Sequence, residues 1–196
     1  SAGFDALGIG SMEEPGFLRE AGIELPMYFD QGMYSWNHLA GAAMERYGAD
    51  RLTIPVELNE REIRDSGVQG EMIVYGYLPM MISAQCIRKT TLGCSGKSEI
   101  MWLKDRKDMR FPVVNQCRFC YNTIYNSAPL SLLGLSEQVT GLKPNAVRLN
   151  FTVEEPAAAG EILDAFFEEY GMSEKAAEPP VLRNQFTRGH FKRGVE

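Results

Sequence analysis

The sequence predicts an α/β protein: half of a TIM-like (β/α) barrel, followed by a Cys-rich metal-binding insert and a further βα unit. Three observations carry this. Apolar runs open near Phe4, Met27, Arg51 and Met72, at intervals of twenty to twenty-four residues, with helical patterns between them. Cys86, Cys94, Cys117 and Cys120 all fall within one 35-residue window. Beyond them, Val147 to Val153 is apolar enough for a strand, and a helix follows at once.

Phe4 to Gly10 is the first expected strand. Ser11 can then cap a helix, with Glu14 reaching back and Pro15 tolerated in the first turn. Met27 to Asp30 is the second strand. After Ser35, the residues Trp36, Leu39, Ala40, Ala43, Met44 and Tyr47 repeat at helical spacing until Gly48 stops the helix. Arg51 to Glu57 is the third strand, and Asn59 with Glu62 forms a capping-box pattern for a short helix ended by Gly67 or Gly70. Met72 to Tyr77 is the fourth strand. From Pro79 to about Pro129 the chain is rich in Met and Cys, and the charged run Lys104 to Asp108 reads as a solvated turn between strands Ile100 to Leu103 and Phe111 to Val114. Pro156 opens a last helix, whose Ala159, Ile162, Leu163, Phe166, Phe167 and Tyr170 share one face before Gly171. The expected organisation is therefore 1–78 (βα half-barrel), 79–130 (Cys-rich segment), 131–172 (βα unit) and 173–196 (linker and basic tail).

Regular strand spacing fits a barrel better than a flavodoxin-like sheet, and no Gly-rich phosphate fingerprint follows any strand. A half barrel leaves sheet edges open, so a missing N-terminal half or a second chain is expected to cover them. The start without methionine points the same way, to a piece of something longer. The chain has 196 residues, 44% hydrophobic and 23% charged, with a net charge of −6, which is the balance of a globular protein whose overall field repels phosphate backbones. Neither an apolar run of membrane-spanning length nor a secretory leader is visible, and the expected location is cytoplasmic.

Cys117 and Cys120 form a C-x-x-C, a spacing that lets two thiolates share one metal ion; alone it equally suits a redox pair. Cys86 and Cys94 add a second pair, and four soft thiolates suit zinc or iron–sulfur iron. A disulfide framework and unrelated buried thiols are the competing readings. Both zinc and an iron–sulfur cluster accept four cysteines, so the metal stays open.

Several stretches together resemble the peptidase U32 family, and most closely its long, collagenase-like branch. They are Glu71 to Met81 followed by Cys86, Leu103 to Arg106 with Phe111-Pro112-Val113, and Cys117 ahead of Asn122 to Ser127. Val56-Glu57-Leu58, Thr187 to His190 and Arg193-Gly194-Val195 add to the likeness. The resemblance implies a TIM-barrel-like catalytic region, of which this chain would be the second half. It also implies oxygen-independent hydroxylation of RNA or of the ubiquinone ring by a 4Fe-4S cluster, with the four cysteines as its ligands. One departure stands out: Tyr75 replaces the histidine of the family's fourth strand, and Pro79 lies where many members place a cysteine.

Proteolysis, which the family name suggests, has no legible machinery: the two histidines, His38 and His190, form no H-E-x-x-H or Cys-His pattern. Under the barrel reading the reactive groups are those at strand ends: Asp30 and Gln31, Glu57 and Tyr75. Glu57, ending an apolar strand, is the expected proton carrier. Asp30, Arg148, Arg188, His190 and Arg193 are the expected contacts to RNA or a small acidic substrate. The expected function is thus hydroxylation of an RNA base by a U32-like metal-cluster enzyme. A collagenase-like hydrolase and a zinc-stapled binding module are the alternatives.

Overall fold

The structure, a computed structural model, describes residues 3–172 and 185–194. In chain order the elements are β1 (Leu7–Ile9), α1 (Glu14–Glu20), β2 (Met27–Phe29), α2 (His38–Tyr47), β3 (Arg51–Leu52), α3 (Glu60–Ser66), β4 (Glu71–Gly76), β5 (Pro79–Ser83), α4 (Ile87–Thr91), β6 (Ile100–Lys104), β7 (Arg110–Gln116), β8 (Tyr121–Tyr125), β9 (Leu130–Ser131), α5 (Ser136–Gly141), β10 (Ala146–Asn150) and α6 (Pro156–Glu169). The fold is mixed α/β, with three sheets and six α-helices and no closed barrel among the described residues. Two compact units divide the chain: Ser1–Val74 with Leu135–Leu149 and Arg188–Glu196, and Tyr75–Gly134 with Asn150–Thr187.

In the first unit β1, β2 and β3 are parallel neighbours in sequence order, with Leu7 opposite Met27 and Phe29 opposite Leu52. A parallel bridge from Thr53 to Glu71 carries the pairing to the start of β4, whose next neighbour is β10. This order lacks the reversal that defines a doubly wound sheet. The core gathers Ile9, Phe29, Met33, Leu52 and Val68, with Leu18, Met44 and Tyr47 packed against it. Full burial of a side chain such as Phe29 contributes ~1.5–3 kcal/mol. On α2, Gly41 faces Val68: a Cβ there would lie 3.3 Å from a Val68 methyl, so the bare backbone sets how near the helix can come.

Local signals place most of the first unit's boundaries, with corrections. The Asn59–Glu62 capping box forms in full, at 2.9 Å and 2.8 Å, and Gly67 closes α3 at φ +65°. Glu14 does reach back, to the Ser11 and Gly10 amides, but the Ser11 hydroxyl caps no helix amide. Helix α2 starts after Asn37, whose side chain accepts from the Ala40 amide, whereas Ser35 is buried and donates to the Thr53 carbonyl. The third strand stops well short of Glu57, because Pro55 cannot donate to a ladder and the chain turns. β10 likewise ends at Asn150 instead of Val153.

The second unit is built differently. Its main sheet is antiparallel in the order β5-β8-β7-β6, and the Lys104 to Asp108 run is the β6–β7 turn. Asp105 organises that turn by accepting from the Lys107 and Met109 amides, and Asp108 takes φ +64°. β9 pairs antiparallel with Tyr75 and Gly76 of β4. Gly76 sits at φ +150°, and a Cβ there would collide with the Asn150 carbonyl, so only glycine fits. Pro156 opens α6 as expected, and Ile162, Ala165 and Phe166 are its buried face. The expected linker Ser173 to Pro180 lies outside the described residues.

Candidate metal centre

All four cysteines belong to the second unit, and three local devices present them. Cys86 occupies the N-cap of α4, where its sulfur accepts from the Lys89 amide at 3.4 Å. Cys94 follows α4 in a loop between Gly93 and Gly96, both in the left-handed region. Cys117 and Cys120 span one 3-10 turn between β7 and β8, with the Cys120 amide donating to the Cys117 carbonyl at 3.4 Å. Cys120 takes φ 56°, a conformation that non-glycine residues adopt seldom and mostly at functional turns.

The pieces converge on Cys117. Desolvation pushes its thiol pKa up, as do the Cys94 sulfur, which bonds to it, and the neighbouring Cys120 and Cys86. Thiols from both pairs therefore share one neighbourhood. Crowding of groups that would all carry negative charge disfavours their ionisation, and a bound cation inverts that balance. Four thiols suit a soft metal, zinc or iron–sulfur iron, and none of the four is in a disulfide. Among the described residues no three His, Cys, Asp or Glu side chains already stand at ion-holding spacing. The four thiols are thus a gathered set that a metal would have to draw tighter.

Two asparagines that the sequence reading passed over hold the loops. Asn115 and Asn122 face each other across β7 and β8, 1% and 0% exposed. Asn122 donates to the Gln85 carbonyl at 2.7 Å, immediately before Cys86. Asn115 accepts from the Glu99 amide, and next to Glu99 the Ser98 hydroxyl accepts from the Cys117 amide at 3.2 Å. Buried amides in the centre of a sheet, beside a C-x-x-C, were the available signal.

The remaining expected site residues are distributed. In the first unit, Arg148 bonds Asp30 at 2.6 Å and lies 3.2 Å from Glu71. An incoming anion would have to displace a carboxylate, which weakens the case for Arg148 as an anion contact. Gln31 keeps a buried side-chain oxygen with no hydrogen-bond partner. Glu57 is half-buried in the turn after Pro55 and not on a strand. Arg188, His190 and Arg193 lie in a single turn: the Arg188 carbonyl accepts from Phe191, and His190 Nδ1 approaches the Gly194 carbonyl at 2.8 Å. That turn is fixed to the start of α3, just beyond Glu57, by Phe191 accepting from the Glu60 amide. His38 opens α2, as expected from the sequence.

Tyr75 lies in the second unit, 2% exposed, with its ring 5.8 Å from that of Phe151. Burial, and then the Glu154 carboxylate, push its phenol pKa far up. It is therefore a proton-bearing donor and not a base. Glu154, in the loop between β10 and α6, was also missed, although loops that follow strands are where such folds keep their chemistry. Compared with protein-family models, curated proteins and solved structures, the chain matched none of them.

Proposed function

We propose that this chain is part of a U32-like metal-cluster enzyme that hydroxylates an RNA base without oxygen, with Cys86, Cys94, Cys117 and Cys120 as the cluster ligands. The convergence of the other three sulfurs on Cys117 carries the proposal. The sequential parallel strands of the first unit are compatible with half of a TIM-like barrel. The RNA substrate comes from the resemblance alone. A bound cluster would supply electron transfer or a Lewis-acidic iron. Glu57 is assigned the proton transfer, since it is a half-buried carboxylate in the turn after a barrel-type strand. Tyr75 is assigned hydrogen-bond donation to substrate, because its proton is held. The Arg188, His190 and Arg193 turn offers donors to phosphate.

One observation favours a second reading, a zinc-stapled module without catalysis. The sheet β5-β8-β7-β6 buries Pro112 and Val113 and otherwise asparagine and threonine, and so small an apolar core gains from a metal staple. Anaerobic purification followed by metal and sulfide counting separates the two. About four irons per chain with acid-labile sulfide is the expected result. One zinc and no iron after anaerobic handling overturns the cluster and leaves the staple.

A further inference from the structure

The second unit also contains a cavity that the metal centre does not use. Its volume is about 260 Å³, and its walls include Tyr75, Tyr77, Trp102, Glu154, Glu155 and Gln185. That is below the ~300–1,000 Å³ of pockets for drug-sized ligands, so an occupant must be small.

Glu154 is placed firmly. Its Oε2 accepts from the Thr152 amide at 2.6 Å and from the Val153 amide at 3.0 Å. Its Oε1 is buried and has no aligned donor among the described residues, although the Tyr75 hydroxyl bears on the same carboxylate. A buried acceptor left open in this way calls for a donor from outside the chain. Burial and Glu154 hold Tyr77 as well as Tyr75 in the neutral, ring-protonated form, so the walls keep their full aromatic character without adding charge. None of the described residues lining the cavity is basic. A carboxylate with a free oxygen, flanked by two tyrosines and a tryptophan, combines the two attractions that select organic cations: a charge-assisted hydrogen bond and the negative faces of aromatic rings.

We propose that the cavity bounded by Tyr75, Tyr77, Trp102 and Glu154 is a binding site for a small organic cation of the ammonium or guanidinium class, with Glu154 Oε1 accepting its N–H. The site owes nothing to the four thiols and stands whether or not they hold a metal.

Benzylammonium and the neutral benzyl alcohol, of nearly the same shape, are the probes, titrated calorimetrically into the full chain. Benzylammonium is expected to bind at least about tenfold more tightly than benzyl alcohol. Glu154→Gln, whose amide oxygen can still accept from the Thr152 and Val153 amides, is expected to abolish that preference while leaving circular dichroism unchanged. Trp102→Ala, on an exposed hairpin, is expected to weaken benzylammonium several-fold without altering its preference over the alcohol. Equal affinity for the two probes overturns the proposal, as does full retention of the preference in Glu154→Gln or the absence of binding by either probe. If cytidine, an uncharged ring with an exocyclic amine, binds more tightly than benzylammonium, the site reads a nucleobase and the cation assignment fails.

Discussion

The two units bring their residues together by different physics. The first repeats strand and helix, and its packing is apolar: Ile9, Phe29 and Leu52 sit at 1%, 1% and 3% exposure in one cluster. The second centres on an antiparallel sheet whose middle is polar, with Asn115 and Asn122 almost wholly enclosed. Apolar burial is non-directional and forgives small shifts of register. A buried amide is not forgiving, because each donor and acceptor must find its partner or cost the whole desolvation penalty. The first unit is thus a scaffold held by area, and the second a loop-bearing frame held by direction, which suits a centre whose ligands come from three separate turns.

Removing the metal should separate the two units most sharply. If the thiolates are stitched by an ion, chelation or Cys117→Ser withdraws folding free energy from the second unit alone, by several kcal/mol. Amide hydrogen exchange is the direct measurement. Protection in 79–125 should fall by orders of magnitude while that in 27–74 is kept. Equal loss in both segments would mean that the units do not differ in what holds them.

Asn122→Ala tests the polar frame without touching a thiol. It strands the Gln85 carbonyl and the Asn115 amide in the sheet interior, at a cost of about 1–3 kcal/mol. Because Gln85 precedes Cys86, metal affinity should drop with it, and Asn122→Asp should restore neither, since a carboxylate cannot donate to Gln85. Competition with a chromophoric chelator reads the affinity, and urea denaturation the stability. Unchanged affinity in a folded Asn122→Ala protein would reduce the asparagine pair to ordinary sheet packing.

What could be seen from sequence follows the same division. Parallel βα units declare themselves locally: the run Arg51 to Ile54, the Asn59–Glu62 box and Gly48 each act within a few residues, and each was legible. The strand boundary after Leu52 was misjudged because apolar Ile54 and Val56 continue the pattern through Pro55, whose missing N–H ends the ladder. The antiparallel sheet is non-local. β5 pairs with β8 across some forty residues, and only the β6–β7 turn, closed within a few residues, could be anticipated. The cysteines were legible as a set because chemistry restricts what four of them do together. Glu154 was not, since a lone carboxylate before a helix carries no pattern until Tyr75 and Tyr77 are folded against it.

The smallest effect belongs to the first unit and calibrates the rest. Asn59 accepts from the Glu62 amide while Glu62 accepts from the Asn59 amide, so two otherwise unpaired N–H groups at the start of α3 are answered by one reciprocal pair. Asn59→Ala removes one of the two bonds and should cost about 1 kcal/mol, whereas Asn59→Ser or Asn59→Asp should recover most of it. Asn59 Nδ2 also lies against the backbone of Gly194, at the point where the Arg188 to Gly194 turn meets α3. If that turn is fixed only through the Phe191 carbonyl and the Glu60 amide, the alanine variant keeps its protection at Phe191 and loses stability uniformly in urea. Selective loss of protection across 188–194 would instead show that the cap holds the basic turn in place beside Glu57, and would make a helix cap part of the substrate-facing surface.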